Sequence, residues 1–267
     1  MNVDAFIRWV FPAVALACIV IEVVAGPLVL GIITYRMSAD AVTQYIGGEV
    51  VTLIAAIAVM VSAFFERSSS ATLIGAGASL YIIYTMVSVV FGQDYHRYDG
   101  TAEKWFFLFV VATMTMIPVA GRKTSLLLRA GVPEVGWLQR GTLIGFALLF
   151  AFLWISAILT EPAHHSPEYL ADPALFWLIK FLDLAVVVPV GLLCAAQWTG
   201  TYRTGGLVVL SFTVWIMLAI AGMQIAVVVS SPGNGAGIIL AITMIAGSAW
   251  SSVCLWYATK NWNWQTA

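Results

Sequence analysis

The chain has 267 residues, 61% of them hydrophobic and only 9% charged, with a formal net charge of −1. A soluble domain carries about 25% charged residues, and a surface built from so few could not face water, so lipid is the solvent for most of this chain. Near-neutral charge without a basic run gives no electrostatic basis for nucleic-acid binding.

Met1–Arg8, followed by an apolar stretch, resembles the opening of a secretory signal. That stretch is too long for a signal core and runs on through Glu22, so it reads as a retained first helix. A spanning helix needs about 20 mostly apolar residues. The qualifying runs are 9–35, 46–65, 71–92, 105–120, 141–160, 174–198, 206–230 and 235–258, the fourth being the shortest. Charges or turn formers separate them: Arg36 and Asp40, Glu66 and Arg67, Asp94 to Lys104, Arg122 and Lys123, Glu161 to Pro173, Arg203, and Ser231-Pro232-Gly233-Asn234.

Cationic residues orient the spans. With the N-terminus in the cytoplasm, Arg8, Arg67, Arg122, Lys123, Arg129, Arg140, Arg203 and Lys260 fall inside, and only Arg36, Arg97 and Lys104 fall outside. The expected fold is therefore all-α: a polytopic transmembrane helical bundle of about eight spans, one domain over 1–267, both termini cytoplasmic. Trp9, Trp105, Trp137, Trp198, Trp256, Trp262 and Trp264 lie at or near run ends, where indole rings anchor at the headgroup level. Gly75 and Ser79 form a small-xxx-small face suited to close helix contact.

Ionisable groups inside a bilayer are costly and are the default functional candidates. Glu22 falls near the middle of the first run, and Asp183 near the middle of the sixth. Lys180 is three residues before Asp183, on the same helix face, where a salt bridge is expected. Glu49, near the outer start of the second run, reads as shallower and interfacial. Two readings stay open for the trio Asp183, Lys180 and Glu22. In one, they exchange protons or cations, with Pro27 and Pro189 freeing backbone carbonyls beside the acids. In the other, they are polar glue between helices. A buried lysine beside an acid also meets the minimum for a retinal Schiff base, but Lys180 is in the sixth span and near its outer end.

The three histidines all fall in outer loops. Segment 93–105 holds Asp94, Tyr95, His96, Arg97, Asp99 and Glu103, and segment 161–173 holds His164, His165, Glu168 and Asp172. Imidazole with carboxylate is metal-ligand chemistry, but adjacent histidines in a proline-rich loop give no fixed ligand geometry, so no metal is expected. The three cysteines, Cys18, Cys194 and Cys254, stand alone without CxxC or CxxH spacing, which leaves zinc sites, clusters and disulfide frameworks without ligands. With no histidine in a span, a bis-histidine haem has no ligands either. No cofactor is expected, and no catalytic arrangement of side chains stands out. The two outer segments are instead expected to fold over the mouth of the bundle as a lid, with Tyr95, His96, Arg97, Glu103, His164 and His165 as outer-mouth contacts.

Two stretches carry a resemblance. Tyr81 to Phe107, with Tyr84-Thr85, Gly92, Tyr95, Arg97-Tyr98, Gly100 and Glu103 before Phe106-Phe107, resembles a family of multispanning bacterial membrane proteins of unassigned activity. The run Phe176 to Leu184, closing on Pro189, resembles a later span of the same family, and it contains Lys180 and Asp183. The resemblance implies the architecture and a bacterial cytoplasmic membrane, and no mechanism. The expected function is a small proton- or cation-linked transporter or ion pathway. The alternative is a non-catalytic membrane subunit or sensor acting through partner helices or as a homo-oligomer. The expected partners are the lipid bilayer and a small-molecule or ion ligand.

Overall fold

Gly26-Pro27 stops the first helix well before Tyr35. In the computed structural model, which describes residues 3–131 and 136–260, helix α1 spans Val3–Ala25. A residue preceding proline is pushed out of the α region, and Gly26 is extended, with φ −73° and ψ −178°. The expected run to residue 35 is thus corrected: segment 26–38 turns back and buries Ile33, Tyr35 and Met37 against the bundle. Ser38 then caps α2 (Ala39–Phe64), its hydroxyl accepting the Ala41 amide at 3.2 Å. Helix α3 (Ser69–Phe91) is capped the same way by Ser68.

Helix α4 (Ala102–Ala130) is long, not the short span that the charge pair Arg122-Lys123 suggested. Its periodicity continues through that pair to Leu127, which is fully buried. Helices α5 (Trp137–Thr160), α6 (Pro173–Gln197), α7 (Gly200–Ser230) and α8 (Gly235–Thr259) complete eight helices long and apolar enough to cross a bilayer. A short helical turn, Pro167–Ala171, precedes α6. Asn234 caps α8 by accepting the Gly237 amide at 3.0 Å. The protein is therefore a helical, multi-pass membrane protein in contact with lipid. Of the seven anchoring tryptophans, Trp9, Trp105, Trp137, Trp198 and Trp256 lie at or near helix ends. Trp262 and Trp264 lie outside the described residues.

Helix α7 is the hub. It packs on α2, α3, α6 and α8, and reaches α4 and α5. The largest core cluster joins α1 to α4 with Phe212, Trp215 and Ala219 of α7. Two backbone crossings set the distance between α7 and its neighbours. A Cβ at Gly47 would fall on the Gly222 carbonyl, and one at Gly222 would come within 2.7 Å of the Gly47 oxygen. A Cβ at Gly77 would meet the Phe212 amide nitrogen at 2.7 Å. The expected small-residue face therefore acts through Gly75 and Gly77. Gly75 makes room for Ser62 and the Lys123 stem, whereas the Ser79 hydroxyl turns back to the Gly75 carbonyl at 2.8 Å.

Candidate functional site

Segment 26–38 brings Tyr35 into the bundle, and there it meets two acids. The Tyr35 hydroxyl lies 2.8 Å from Glu49 Oε1 and 3.2 Å from Glu22 Oε1. The Tyr45 hydroxyl donates to the same Glu22 oxygen at 2.6 Å, and the two phenol rings pack edge to face. Glu22 and Glu49 are 2% and 1% exposed, so both are sealed from solvent. Glu49 is thus enclosed by protein. Because α2 begins at Ala39 rather than near residue 46, Glu49 falls about three turns into the helix. Its second oxygen, Oε2, is buried without a hydrogen-bond partner. Gly26 leaves the space beside this carboxyl: a Cβ there would stand 3.0 Å from Glu49 Oε1.

The sixth span arranges its polar residues differently from the expected ion pair. Among the described residues, Lys180 and Asp183 form no salt bridge within 4.0 Å. Trp154 of α5 stands between them: its indole N–H donates to Asp183 Oδ2 at 2.5 Å, and its ring lies 4.5 Å from the Lys180 ammonium. The ammonium is closest to the Phe176 ring, at 3.8 Å. Tyr84 of α3 donates to Asp183 Oδ1 at 2.9 Å. The backbone explains the change. Pro189 has no N–H to offer to a carbonyl one turn earlier, and α6 takes a π turn over Asp183–Val187 just before it. Both residues face protein, as the spacing implied, at 9% and 8% exposure. The cavity beside Asp183 is about 10 Å³, room for roughly one water.

Other polar side chains cross-link helices or bond within them. Tyr81 reaches Thr52 at 3.1 Å, tying α3 to α2 as Tyr84 ties α3 to α6. Ser251 and Ser252 of α8 bond back to carbonyls of their own helix.

The end of the bundle that carries segments 26–38, 92–101 and 161–172, which we call the upper end, is tied together by hydrogen bonds. Arg36 makes a fork with Glu103, at 3.0 and 2.6 Å, and donates to the Tyr98 carbonyl at 2.7 Å. The bonded Glu103 carboxylate raises the Arg36 guanidinium further above its ordinary value. Thr101 bonds to Ile32 and Thr34, and a Cβ at Gly100 would be 2.7 Å from the Thr34 carbonyl. Arg97 donates to the Leu170 and Ala171 carbonyls, and Tyr98 to Ala171 at 2.8 Å, so the two outer segments touch each other. Asp172 accepts from the Ser38 amide at 2.9 Å and from the Ser38 hydroxyl. Tyr95 bonds to the Val90 carbonyl at 2.9 Å. His96, His164 and His165 stand exposed. No group of three or more His, Cys, Asp or Glu that could hold a metal ion occurs among the described residues.

Tyr35, Tyr45, Glu49 and Trp154 are the site residues that reading the sequence missed. Two signals pointed to Tyr35 and Glu49. Gly26-Pro27 marks a helix stop, and Ser38 ahead of Asp40 marks a helix start; together they place Tyr35 on a return segment and Glu49 deep in α2. Trp154 had no such signal. Family models, curated proteins and solved structures give no match to this chain, so its functional reading rests on geometry.

Proposed function

We propose that the protein is a small proton-linked transporter or proton pathway of a bacterial cytoplasmic membrane, with Glu22 and Glu49 as its proton-carrying pair. One observation carries the reading: a single phenol, Tyr35, is within hydrogen-bond distance of both carboxyls. A hydroxyl has one proton to donate. Two full hydrogen bonds at that hydroxyl require a carboxyl that donates in turn, an arrangement in which the cluster holds a proton between two acids. With Tyr45 and Tyr35 both donating to Glu22 and a protonated Glu49 donating to Tyr35, every contact is satisfied. Deprotonation would leave two buried carboxylates competing for two phenols, a state that favours opening towards water. Asp183 and Lys180 take a secondary place, because Asp183 is bonded to Trp154 and Tyr84 and shares no hydrogen-bond partner with a second acid.

The test is proton flux into proteoliposomes loaded with a pH-sensitive dye. Under an imposed pH gradient the protein should carry protons well above empty vesicles, and Glu49→Gln or Glu22→Gln should lower the flux by about tenfold or more, as loss of a proton-transfer group does. Flux no greater than that of empty vesicles, in either orientation of the gradient, would end this reading.

For orientation, we propose both termini cytoplasmic, on the excess of cationic residues at the end opposite the upper one. Reporter fusions after residues 100 and 168 should read external, and fusions after 130 and 203 internal. A consistent external signal at 130 would reverse the assignment.

A second reading, a non-catalytic subunit or sensor, draws on α5. Its Leu148, Phe152, Ile155 and Leu159 form one stripe, 56%, 70%, 50% and 69% exposed. A partner helix would cover that stripe as well as lipid would. A larger particle than the monomer in native mass spectrometry, lost on Phe152→Ala, would favour it.

A further inference from the structure

The end of the bundle opposite the upper end holds a groove of about 790 Å³, walled by Arg8, Phe64, Phe65, Glu66, Arg67 and Ser68. Its charges do not balance. Glu66 takes both Arg8, at 3.2 Å, and Arg122, and Asp4 takes the rest of Arg122 at 2.7 Å. Two guanidiniums thus meet two carboxylates. Arg67, exposed on the groove wall, forms no ion pair or hydrogen bond among the described residues. Lys123, close enough to Glu66, Arg8 and Arg122 to interact electrostatically, is 2% exposed, and its ammonium has no hydrogen-bond partner. Among the described residues, Arg67 therefore remains unpaired on the groove wall, and the Lys123 ammonium, near Glu66 but outside the wall, adds a further cation to the three guanidiniums. Ser68 caps α3 at the same place, which brings the positive end of a 23-residue helix to the groove.

The remaining walls are apolar. Phe64 and Phe65 are 62% and 60% exposed at the end of α2, where a span meets the headgroup level. Arg8 is already fixed, donating twice to the Ala63 carbonyl and lying 4.7 Å from the Trp9 ring centre. We propose that this groove seats the phosphate of an anionic phospholipid, with Arg67 as its direct partner and the acyl chain against Phe64 and Phe65. A free phosphate would satisfy the cations but leave the two rings uncovered. A zwitterionic lipid would cover the rings but bring its own cation to a site already in positive excess.

The experiment titrates phosphatidylglycerol, phosphatidylcholine or inorganic phosphate into the detergent-solubilised protein and counts bound molecules by native mass spectrometry. A surface cation contributes about fivefold to anionic-lipid affinity, so phosphatidylglycerol should be preferred over phosphatidylcholine by at least about fivefold. Arg67→Gln should bring that preference below about twofold, and Arg140→Gln, an exposed cation on α5 away from the groove walls, should leave it unchanged. Equal binding of both lipids would overturn the proposal, as would an unchanged preference in Arg67→Gln. Binding of inorganic phosphate that displaces phosphatidylglycerol would identify a soluble-anion site instead, and would also overturn it.

Discussion

Replacing Tyr35 with phenylalanine should cost about 3 kcal/mol of stability, more than any other phenol-to-phenyl change at the upper end. Glu49 keeps one hydrogen bond through Tyr35, and its other oxygen is already without a partner. Without the hydroxyl, a carboxyl that is 1% exposed has nothing left to bond to. Leaving a buried polar group unsatisfied costs about 1–3 kcal/mol, and more if it is charged. Tyr45→Phe should cost less, because Glu22 retains Tyr35. Tyr98→Phe loses one bond to the Ala171 carbonyl at a partly exposed place and should cost less still. Changing both partners separates the stranded acid from simple loss of packing. Tyr35→Phe with Glu49→Met removes the acid that the single change leaves unpaired, and should recover most of the loss. Unfolding midpoints of the four variants in one detergent decide the matter. A double variant weaker than Tyr35→Phe alone would mean that the phenol, not the acid, is what the fold needs.

Gly47→Ala should be about as damaging, at roughly 3 kcal/mol, the upper end for overpacking. The new methyl would land on the Gly222 carbonyl and within 2.7 Å of the Met223 amide nitrogen. Both obstacles are backbone, so no side chain can rotate away, and α2 must move off α7. Since α7 is the helix on which most others pack, that displacement would reach the core of α1 to α4. Gly121→Ala and Gly145→Ala are the controls. Nothing lies within 4 Å of a Cβ at either position, and alanine favours a helix over glycine by about 1 kcal/mol. Those two variants should match or exceed the parent in thermal unfolding. A Gly47→Ala protein as stable as they are would show that the α2–α7 crossing yields freely.

The sequence by itself determined the solvent, the helical class and the number of spans, because each is a one-dimensional quantity. Hydrophobic content excludes water, apolar run length counts crossings, and charges and turn formers divide them. It also marked Glu22, Lys180 and Asp183 as buried charges, although Glu22, expected mid-span, lies within one turn of the upper end of α1, because the helix stops at Ala25. The ends of spans were less legible wherever a charge pointed one way and backbone chemistry another. Arg122-Lys123 suggested an end to α4 that the helix runs through, and the apolar run 27–35 concealed the stop at Gly26-Pro27. Only the tertiary structure decided which buried groups meet. Tyr35 comes to Glu49 by a chain reversal, and Tyr45 and Glu22 lie on different helices. The spacing of Lys180 and Asp183 allowed a salt bridge, but Trp154, from another helix, took the carboxylate while aromatic rings took the ammonium. Spacing along one helix says which side chains share a face. What stands on that face from a neighbouring helix is set by how the helices pack, and it is there that the buried acids of this protein acquire their partners.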